Sequence, residues 1–302
     1  MEAEANMPSE KKNLLIINPN AGKGMGYRMA SQVESVFNQR GWPFATSFTF
    51  GVKHAVQIAR DAVSKGFETV VAVGGDGTIN EVANGIANAK NVKLGIVSIG
   101  TGNDYIKAVG IPSDIEEAVD VIVRGKTRFV DLGKVEDMYF INGLGCGFDA
   151  QVSEDLYKIK RLKGFPAYLY VVCKNLFFFN NPLIEMTFDK QVIKHKSMMI
   201  SVMIGNCLGG GFHLTPSAQV DDGLFDVLNI GHFRLLKRFL HLPKVIKGTH
   251  LKVKGVECYR TKEITISSDA DVKVHIDGEM TNVNTKHFTV KIYKQALQLI
   301  VP

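Results

Sequence analysis

The sequence predicts an α/β protein of two domains: a doubly wound α/β domain followed by a β-rich, sandwich-like one. Between Asn13 and about Arg128, short apolar runs alternate with helix-length segments, the pattern of a parallel sheet. Three of those runs end in glycine-bearing loops, after Ile17, Val73 and Ile99. Beyond Pro182 the chain becomes strand after strand, joined by short turns such as Asp189-Lys190. The boundary falls near Phe129, giving domains over residues 13–128 and 129–295, with a last strand from Ala296 that returns to the first. Residues 1–12 read as a disordered polar tail.

Asn13 to Asn18 is a first buried strand, running into Pro19-Asn20-Ala21-Gly22-Lys23-Gly24 and then a helix from about Tyr27 to Asn38. A strand over Phe44 to Phe50 and a helix over His54 to Ser64 follow. The third unit is the focal one. Val70 to Val73 is β-branched and buried; the chain breaks at Gly74-Gly75-Asp76-Gly77, then Ile79, Val82, Ala83 and Ile86 recur at helical spacing. A strand that feeds through glycines into a helix N-terminus offers backbone amides and a positive dipole end to an anion. Thr78 is placed to cap that helix. Asp76 would repel a phosphate unless a divalent cation sits between them, so it points to a metal–nucleotide; an ordinary Gly-Asp-Gly turn has the same residues. Lys93 to Ile99 is the fourth strand, ending in Gly100-Thr101-Gly102-Asn103-Asp104, and Ser113 with Glu116 gives a capping box for the next helix. In doubly wound sheets the loops at the carboxyl ends of strands converge on one crevice, so three glycine loops weigh more than any one.

Two other glycine motifs are set aside. Gly125-Lys126-Thr127 lacks the first glycine of a P-loop, because position 120 is Asp. Gly145-Cys146-Gly147-Phe148-Asp149-Ala150 fits a dinucleotide pattern but follows the α/β run, and reads as a turn or close-packing loop.

In the second region, helices over Asp149 to Lys163 (ending basic) and Pro166 to Phe178 precede strands near 184–188, 198–204, 224–230, 263–268, 273–276 and 288–293. Phe233 to Gly255 interrupts them with seven Lys or Arg, no acid and interleaved leucines. Such a segment suits an interfacial helix on anionic lipid, or equally a packed helix with a solvated basic face. Pro243 is placed to end or kink it.

Composition narrows the class. The chain has 302 residues, 45% hydrophobic and 22% charged, which describes a soluble globular protein. No run approaches the ~18 apolar residues of a membrane span. The four cysteines are scattered, with neither a Cys-x-x-Cys pair nor zinc-ligand spacing, and read as reduced thiols in a cytoplasmic protein. The +6 charge suits an anionic partner, and no helix-turn-helix, RNP-like or zinc-knuckle signal directs it to nucleic acid. Sheet edges in the β-rich region could pair two copies as a homodimer.

Asn18-Pro19-x-x-Gly22, Gly74 to Thr78 with Asn80-Glu81, Gly100-Thr101-x-Asn103-Asp104, Asp221-Asp222-Gly223 and Asp277-Gly278-Glu279 occur in that order. The set resembles the bacterial lipid kinases of the diacylglycerol kinase catalytic-domain type, relatives of diacylglycerol and sphingosine kinases, from Asn13 to Pro302. The Gly-Gly-Asp-Gly-Thr loop alone is also found in NAD kinases. The resemblance implies ATP held by Asn18, Pro19, Asn20, Ala21, Gly22, Thr49, Gly75, Asp76, Gly77, Thr78, Ile79, Asn80, Glu81 and Thr101, in a cleft between the two domains. It implies that Asp76 and Asp104 organise the catalytic Mg²⁺, that Glu279 is the general base, and that Asp222 with main-chain oxygens near Gln219 and Leu224 holds a second, structural Mg²⁺. Read without it, Asp104 is a helix cap, Asp222 a turn residue, and Asp277-Gly278 an ordinary hairpin turn that leaves Glu279 on the surface. The expectation is a cytoplasmic, transiently membrane-associated kinase that phosphorylates a lipid hydroxyl, with diacylglycerol the default. An NAD kinase and a non-catalytic lipid- or nucleotide-binding regulator are the alternatives.

Overall fold

The computed structural model describes residues 12–159, 164–189, 191–281 and 283–302. Apart from Lys12, the predicted tail lies outside these residues, as do Lys160, Arg161 and Lys163 of the basic helix end. The chain forms two compact units. One comprises the described residues up to Ile106 with Gly110–Phe129 and Ala296–Pro302; the other comprises Lys107–Val109 and Val130–Gln295.

The first unit runs β1 (Asn13–Ile17), α1 (Ala21–Gln39), β2 (Ala45–Phe48), α2 (His54–Ser64), β3 (Thr69–Gly74), α3 (Asp76–Ile86), β4 (Lys93–Ser98), the start of α4 (Asp104–Val109) and α5 (Ile115–Arg124). The strands lie in the order β2-β1-β3-β4, all parallel, and Gln298 and Leu299 extend the sheet beside Lys93 and Leu94. Apolar side chains fill both faces, as a parallel sheet between helices requires: every residue of β3 is buried, and Leu15, Val71 and Val97 pack with Val33, Phe37 and Ile122. Ile17 pairs with Val73 and Val73 with Val97, so the carboxyl ends of three strands are level.

The helix starts differ from expectation. α1 begins at Ala21, six residues before Tyr27, with Gly22 (φ 57) and Gly24 (φ 88) making its first turn irregular. Thr78 does not cap α3: Gly75 is the N-cap and Thr78 is buried inside the first turn. In α5 the cap is Asp114, whose Oδ1 accepts from Glu117 N at 3.1 Å, rather than Ser113. The buried face of Ile115, Ala118, Val119 and Ile122 sets the phase of that helix and hence which residue falls at its end.

The chain continues β5 (Thr127–Val135), β6 (Met138–Phe140), β7 (Gly143–Gly147), α6 (Phe148–Lys158), α7 (Gly164–Phe178), β8 (Leu183–Phe188), β9 (Gln191–Met203), β10 (Phe225–Gly231), α8 (Leu235–Ile246), β11 (Val256–Thr261), β12 (Glu263–Ser268), β13 (Val274–Ile276), β14 (Glu279–Met280) and β15 (His287–Ile300). The first three residues of β5 and the last five of β15 belong to the first unit and the rest to the second. β9 pairs with β8 through its first half and with β7 and β10 through its second, so one strand serves two sheets. α6, α7 and α8 pack over one of them, with Val152, Val172 and Leu176 against Met198, Met199 and Leu228.

Three readings are corrected here. The glycine run at 143–147 is a buried strand rather than a turn, because side chains at Gly143 and Gly145 would overlap Met203, Asp149 and His275. α8 continues three residues past Pro243, to Ile246. The last two predicted strands are one, β15, with Gln295 (φ 52) inside it.

Candidate active site

In the first unit the three glycine loops are built against one another. Asn18 Nδ2 donates to Thr78 Oγ1 at 2.9 Å, and Asn18 Oδ1 accepts from Asn20 N at 3.0 Å. Asn18 thus ties the loop after β1 to the start of α3, a role its sequence position did not reveal. Gly75 and Gly100 touch backbone to backbone: a Cβ on Gly100 would lie 2.6 Å from Gly75 Cα. No side chain fits at that crossing. The first intrahelical bond of α3 joins Ile79 N to Gly75 O at 3.0 Å, so the amides of Gly77 and Thr78 have no intrahelical acceptor. With the helix dipole, such amides are the donors that suit an anion. Thr49 is buried, its amide held by Ile17 O at 2.9 Å, and Thr101 is exposed at the loop tip.

Two carboxylates meet at this end of the sheet. A Cβ placed on Gly102 would lie 3.1 Å from Asp76 Oδ2 and 3.7 Å from Asp104 Oδ2. Asp76 Oδ1 accepts from Tyr105 N at 3.3 Å, and Asn103 at φ 51 turns the chain so that Asp104, 6% exposed, opens α4. Among the described residues no group of three or more His, Cys, Asp or Glu forms a metal cage. A pair of hard oxygen donors beside a helix N-terminus fits Mg²⁺, which keeps waters and takes phosphate oxygens in place of further protein ligands. Glu81 is engaged elsewhere: its two oxygens accept from Lys53 N (2.8 Å) and Ala55 N (3.1 Å), capping α2 and fixing the loop that follows Thr49. Asn80 accepts from Asn84 Nδ2 at 3.0 Å through its side chain.

In the second unit Glu279 is exposed and follows a two-residue turn, Asp277 (φ 47) and Gly278 (φ 87), between β13 and β14. Two positive φ values in succession make the tight reversal whose twist suits a hairpin. Asp277 does more than turn. Its carboxylate accepts from the amides of Ile141 (3.1 Å), Asn142 (3.1 Å) and Gly143 (2.8 Å), and its own amide donates to Gly143 O at 2.8 Å. The turn before Glu279 is therefore bolted to the strand beneath it.

Asp222 sits in a different setting. Its Oδ2 accepts from Arg260 Nη2, and its Oδ1 from Leu224 N at 3.0 Å. Buried Asp131 lies close by in the chain's packing, accepting from Gly223 N (2.6 Å) and Gln295 N (2.7 Å), and Asp226 is 3.8 Å from Arg260 Nε. Burial raises both Asp131 and Asp226 above the usual aspartate value. Leu224 is half-buried and Gln219 exposed. Asp222 and Asp226 thus share one arginine, Arg260, with buried Asp131 beside them. Asp131 is isolated in the sequence, and only the fold brings it here.

A cavity lies between α7, whose apolar stretch around 165–179 the sequence offers as a lipid-tail groove, α8 and the sheet of the second unit. It measures about 780 Å³, its open mouth included. Val172, Leu176, Met199, Phe212, Leu242 and Val245 line it, with Asp149 at its wall. Arg238 closes the corner, donating to Leu176 O (2.9 Å), Phe179 O (2.9 Å) and Asn181 Oδ1 (2.8 Å), so this cation caps α7 rather than facing solvent. The outer face of α8 exposes Leu236 (73%) and Leu240 (62%) among Arg234, Lys237, Lys244 and Lys247. Phe178 of α7 is likewise exposed, and Phe177 packs on Phe239 at 4.7 Å between ring centres. No helix among the described residues is long and apolar enough to cross a membrane.

Comparison with known proteins gives this geometry a family. Residues 12–135 match the diacylglycerol kinase catalytic domain, and residues 143–301 the YegS C-terminal NAD kinase beta sandwich-like domain. The diacylglycerol kinase of Staphylococcus carnosus (strain TM300) is 32% identical over 271 residues, 89% of each chain. That of Bacillus subtilis (strain 168) is 29% identical over 295 residues, 97% of each chain. A crystal structure described as a diacylglycerol kinase from Bacillus anthracis str. Sterne shares the fold at a TM-score of 0.75 and 21% identity, covering 98% of both chains. The α/β domain and the sandwich-like domain are thus those of one kinase family in one order, and this chain belongs to the diacylglycerol kinase family.

Proposed function

We propose that the protein transfers the γ-phosphate of ATP, with Mg²⁺, to a lipid hydroxyl, and that the acceptor is diacylglycerol, giving phosphatidic acid. The observation that supports this most is the meeting of Asp76 and Asp104 at Gly102, among glycine loops at the carboxyl ends of a parallel sheet. In this reading the loop Asn18 to Gly22 and the amides at the start of α3 bind phosphate oxygens, with Thr49 and Thr101 beside them. Asp76 and Asp104 hold Mg²⁺, which when bound offsets the charge of the triphosphate. Glu81 acts at one remove, by fixing the 50–53 loop. Glu279 takes the proton of the acceptor hydroxyl as its oxygen bonds to phosphorus, and ADP leaves with the electrons of the broken bond.

The acceptor reading draws on the second unit. A cavity walled by leucine, valine, methionine and phenylalanine suits hydrocarbon. Leucines among cations on the outside of α8 suit a helix that rests in the surface of an anionic bilayer, from a protein otherwise in the cytoplasm. A regulator without catalysis would have no use for two carboxylates converged at a phosphate site.

The test is transfer of labelled γ-phosphate from ATP to a panel of lipids in mixed micelles with Mg²⁺, with NAD⁺ as a parallel acceptor. Label in diacylglycerol is the expected result. Label in NAD⁺ alone, or ATP binding with no labelled acceptor, would overturn the reading.

A further inference from the structure

Asp149 and His275 form a buried pair in the second unit that the phosphoryl transfer above does not use. Asp149, in the first turn of α6, lines the apolar cavity; its Oδ1 accepts from Ala150 N and its Oδ2 from Ser201 Oγ, both at 2.9 Å. His275, 1% exposed in β13, places Nε2 3.4 Å from the same Oδ2, outside hydrogen-bond geometry. Its Nδ1 accepts from Gly278 N at 3.3 Å. A ring nitrogen that accepts carries no proton, which puts the ring proton on Nε2, the nitrogen 3.4 Å from the carboxylate. Both neighbours call for one tautomer: Asp149 for a donor, Gly278 for an acceptor. Room for the pair comes from Gly145, where any side chain would overlap both groups. Other charges nearby are engaged elsewhere: Lys273 pairs with Glu154, and burial with Asp149 nearby pushes the Cys146 thiol up, keeping it neutral.

Gly278 immediately precedes Glu279, so this chain of contacts leads from the cavity wall to the residue assigned as base. We infer that Asp149 and His275 are positioning residues that couple hydrocarbon in the cavity to the turn presenting Glu279. Hydrocarbon against Asp149 covers the little of it that stays exposed (6%), and in the drier surroundings its attraction for the Nε2–H strengthens. A carboxylate held on one ring nitrogen makes the other a better acceptor, so Nδ1 binds the Gly278 amide more firmly. The turn stiffens when the acceptor's chain is in place. The inference rests on Glu279 taking the acceptor's proton.

Two substitutions separate the ends of the ring. His275→Asn keeps an acceptor where Nδ1 lies, whereas His275→Gln keeps a donor toward Asp149 and leaves the Gly278 amide without its acceptor. In transfer from ATP to dioctanoylglycerol, His275→Gln should lower kcat by about tenfold to 10²-fold, the scale of a misplaced catalytic group. KM for ATP should stay unchanged, and His275→Asn should recover most of the loss. With ¹⁵N-glycine labelling, amide exchange at Gly278 should slow when dioctanoylglycerol is added to wild type, and should not respond in Asp149→Asn. Equal activity of the Asn and Gln variants, or Gly278 exchange indifferent to the lipid, would overturn the coupling. If wild type transfers phosphate to no lipid, the proposed function fails instead, and Gly278 exchange in wild type against His275→Gln still decides whether the ring holds the turn. Melting curves of all three variants exclude loss of fold.

Discussion

On the proposed reading, the two units assign recognition to different parts of the chain. In the first, the work falls to backbone: glycine crossings, helix-initial amides and an asparagine that laces two loops, with Asp76 and Asp104 adding charge. In the second it falls to side chains brought from distant strands and helices: Asp277 gripping three amides, Arg238 capping a helix, and apolar residues from α7, α8 and the sheet around one cavity. Phosphate is one shape with fixed charge, so a short local motif can serve it. A lipid is long and apolar, so its surface must be collected from many elements.

If that division holds, damage to the two units should separate in kinetics. A large effect is expected from Asp76→Asn, which removes a charge from the start of α3 while keeping the acceptor for Tyr105 N. We predict a fall in kcat of about 10²- to 10³-fold, with the apparent affinity for lipid unchanged and the Mg²⁺ requirement shifted upward. Val172→Phe should do the opposite, filling the cavity from α7 and raising KM for lipid by about tenfold while KM for ATP holds. Should both constants move together in either variant, the units are not separable in this way.

A smaller effect belongs to Glu81. Glu81→Ala leaves the Lys53 and Ala55 amides without their acceptor and should cost about 1 kcal/mol, seen as a lowered denaturation midpoint. Because the loop after Thr49 loosens, KM for ATP should rise with no change for lipid. The smallest effect concerns Glu154, whose carboxyl lies below its ordinary value of 4.5 because Lys273 and Lys158 bind the ionised form. A depressed acid stabilises the fold above its unfolded value and loses that contribution as pH falls. Glu154→Gln should therefore melt slightly below wild type at pH 7, with the difference closing as pH drops below about 4.5. A difference constant across pH would assign the loss to packing.

The same contrast explains what could be read from the chain. β1, β3 and β4 were legible because a strand buried on both faces is a continuous apolar run, and the glycine loops because spacing alone defines them. β7 was not: glycine carries no hydrophobic signal, and the need for it comes from Met203, Asp149 and His275, far away in sequence. Thr78 fits a capping pattern, yet the chain uses it inside the first turn to receive Asn18. Pro243 marks a helix break locally, but packing of Phe239, Leu242, Val245 and Ile246 carries α8 beyond it. The basic run from Phe233 to Gly255 reads as one surface, whereas the structure turns Arg238 inward to cap α7. Asp131 and the Asp149–His275 pair gave no signal, since each partner comes from a different element.

The most direct measurement of the central claim is the Glu279→Gln variant, assayed for ATP binding and for phosphate transfer to diacylglycerol on one preparation. The division of labour predicts wild-type affinity for ATP with transfer reduced by about 10²- to 10⁴-fold, the contribution of a positioned base. Transfer at the wild-type rate would remove Glu279 from the chemistry, and a matching loss of ATP binding would contradict the separation of donor and acceptor functions between the units.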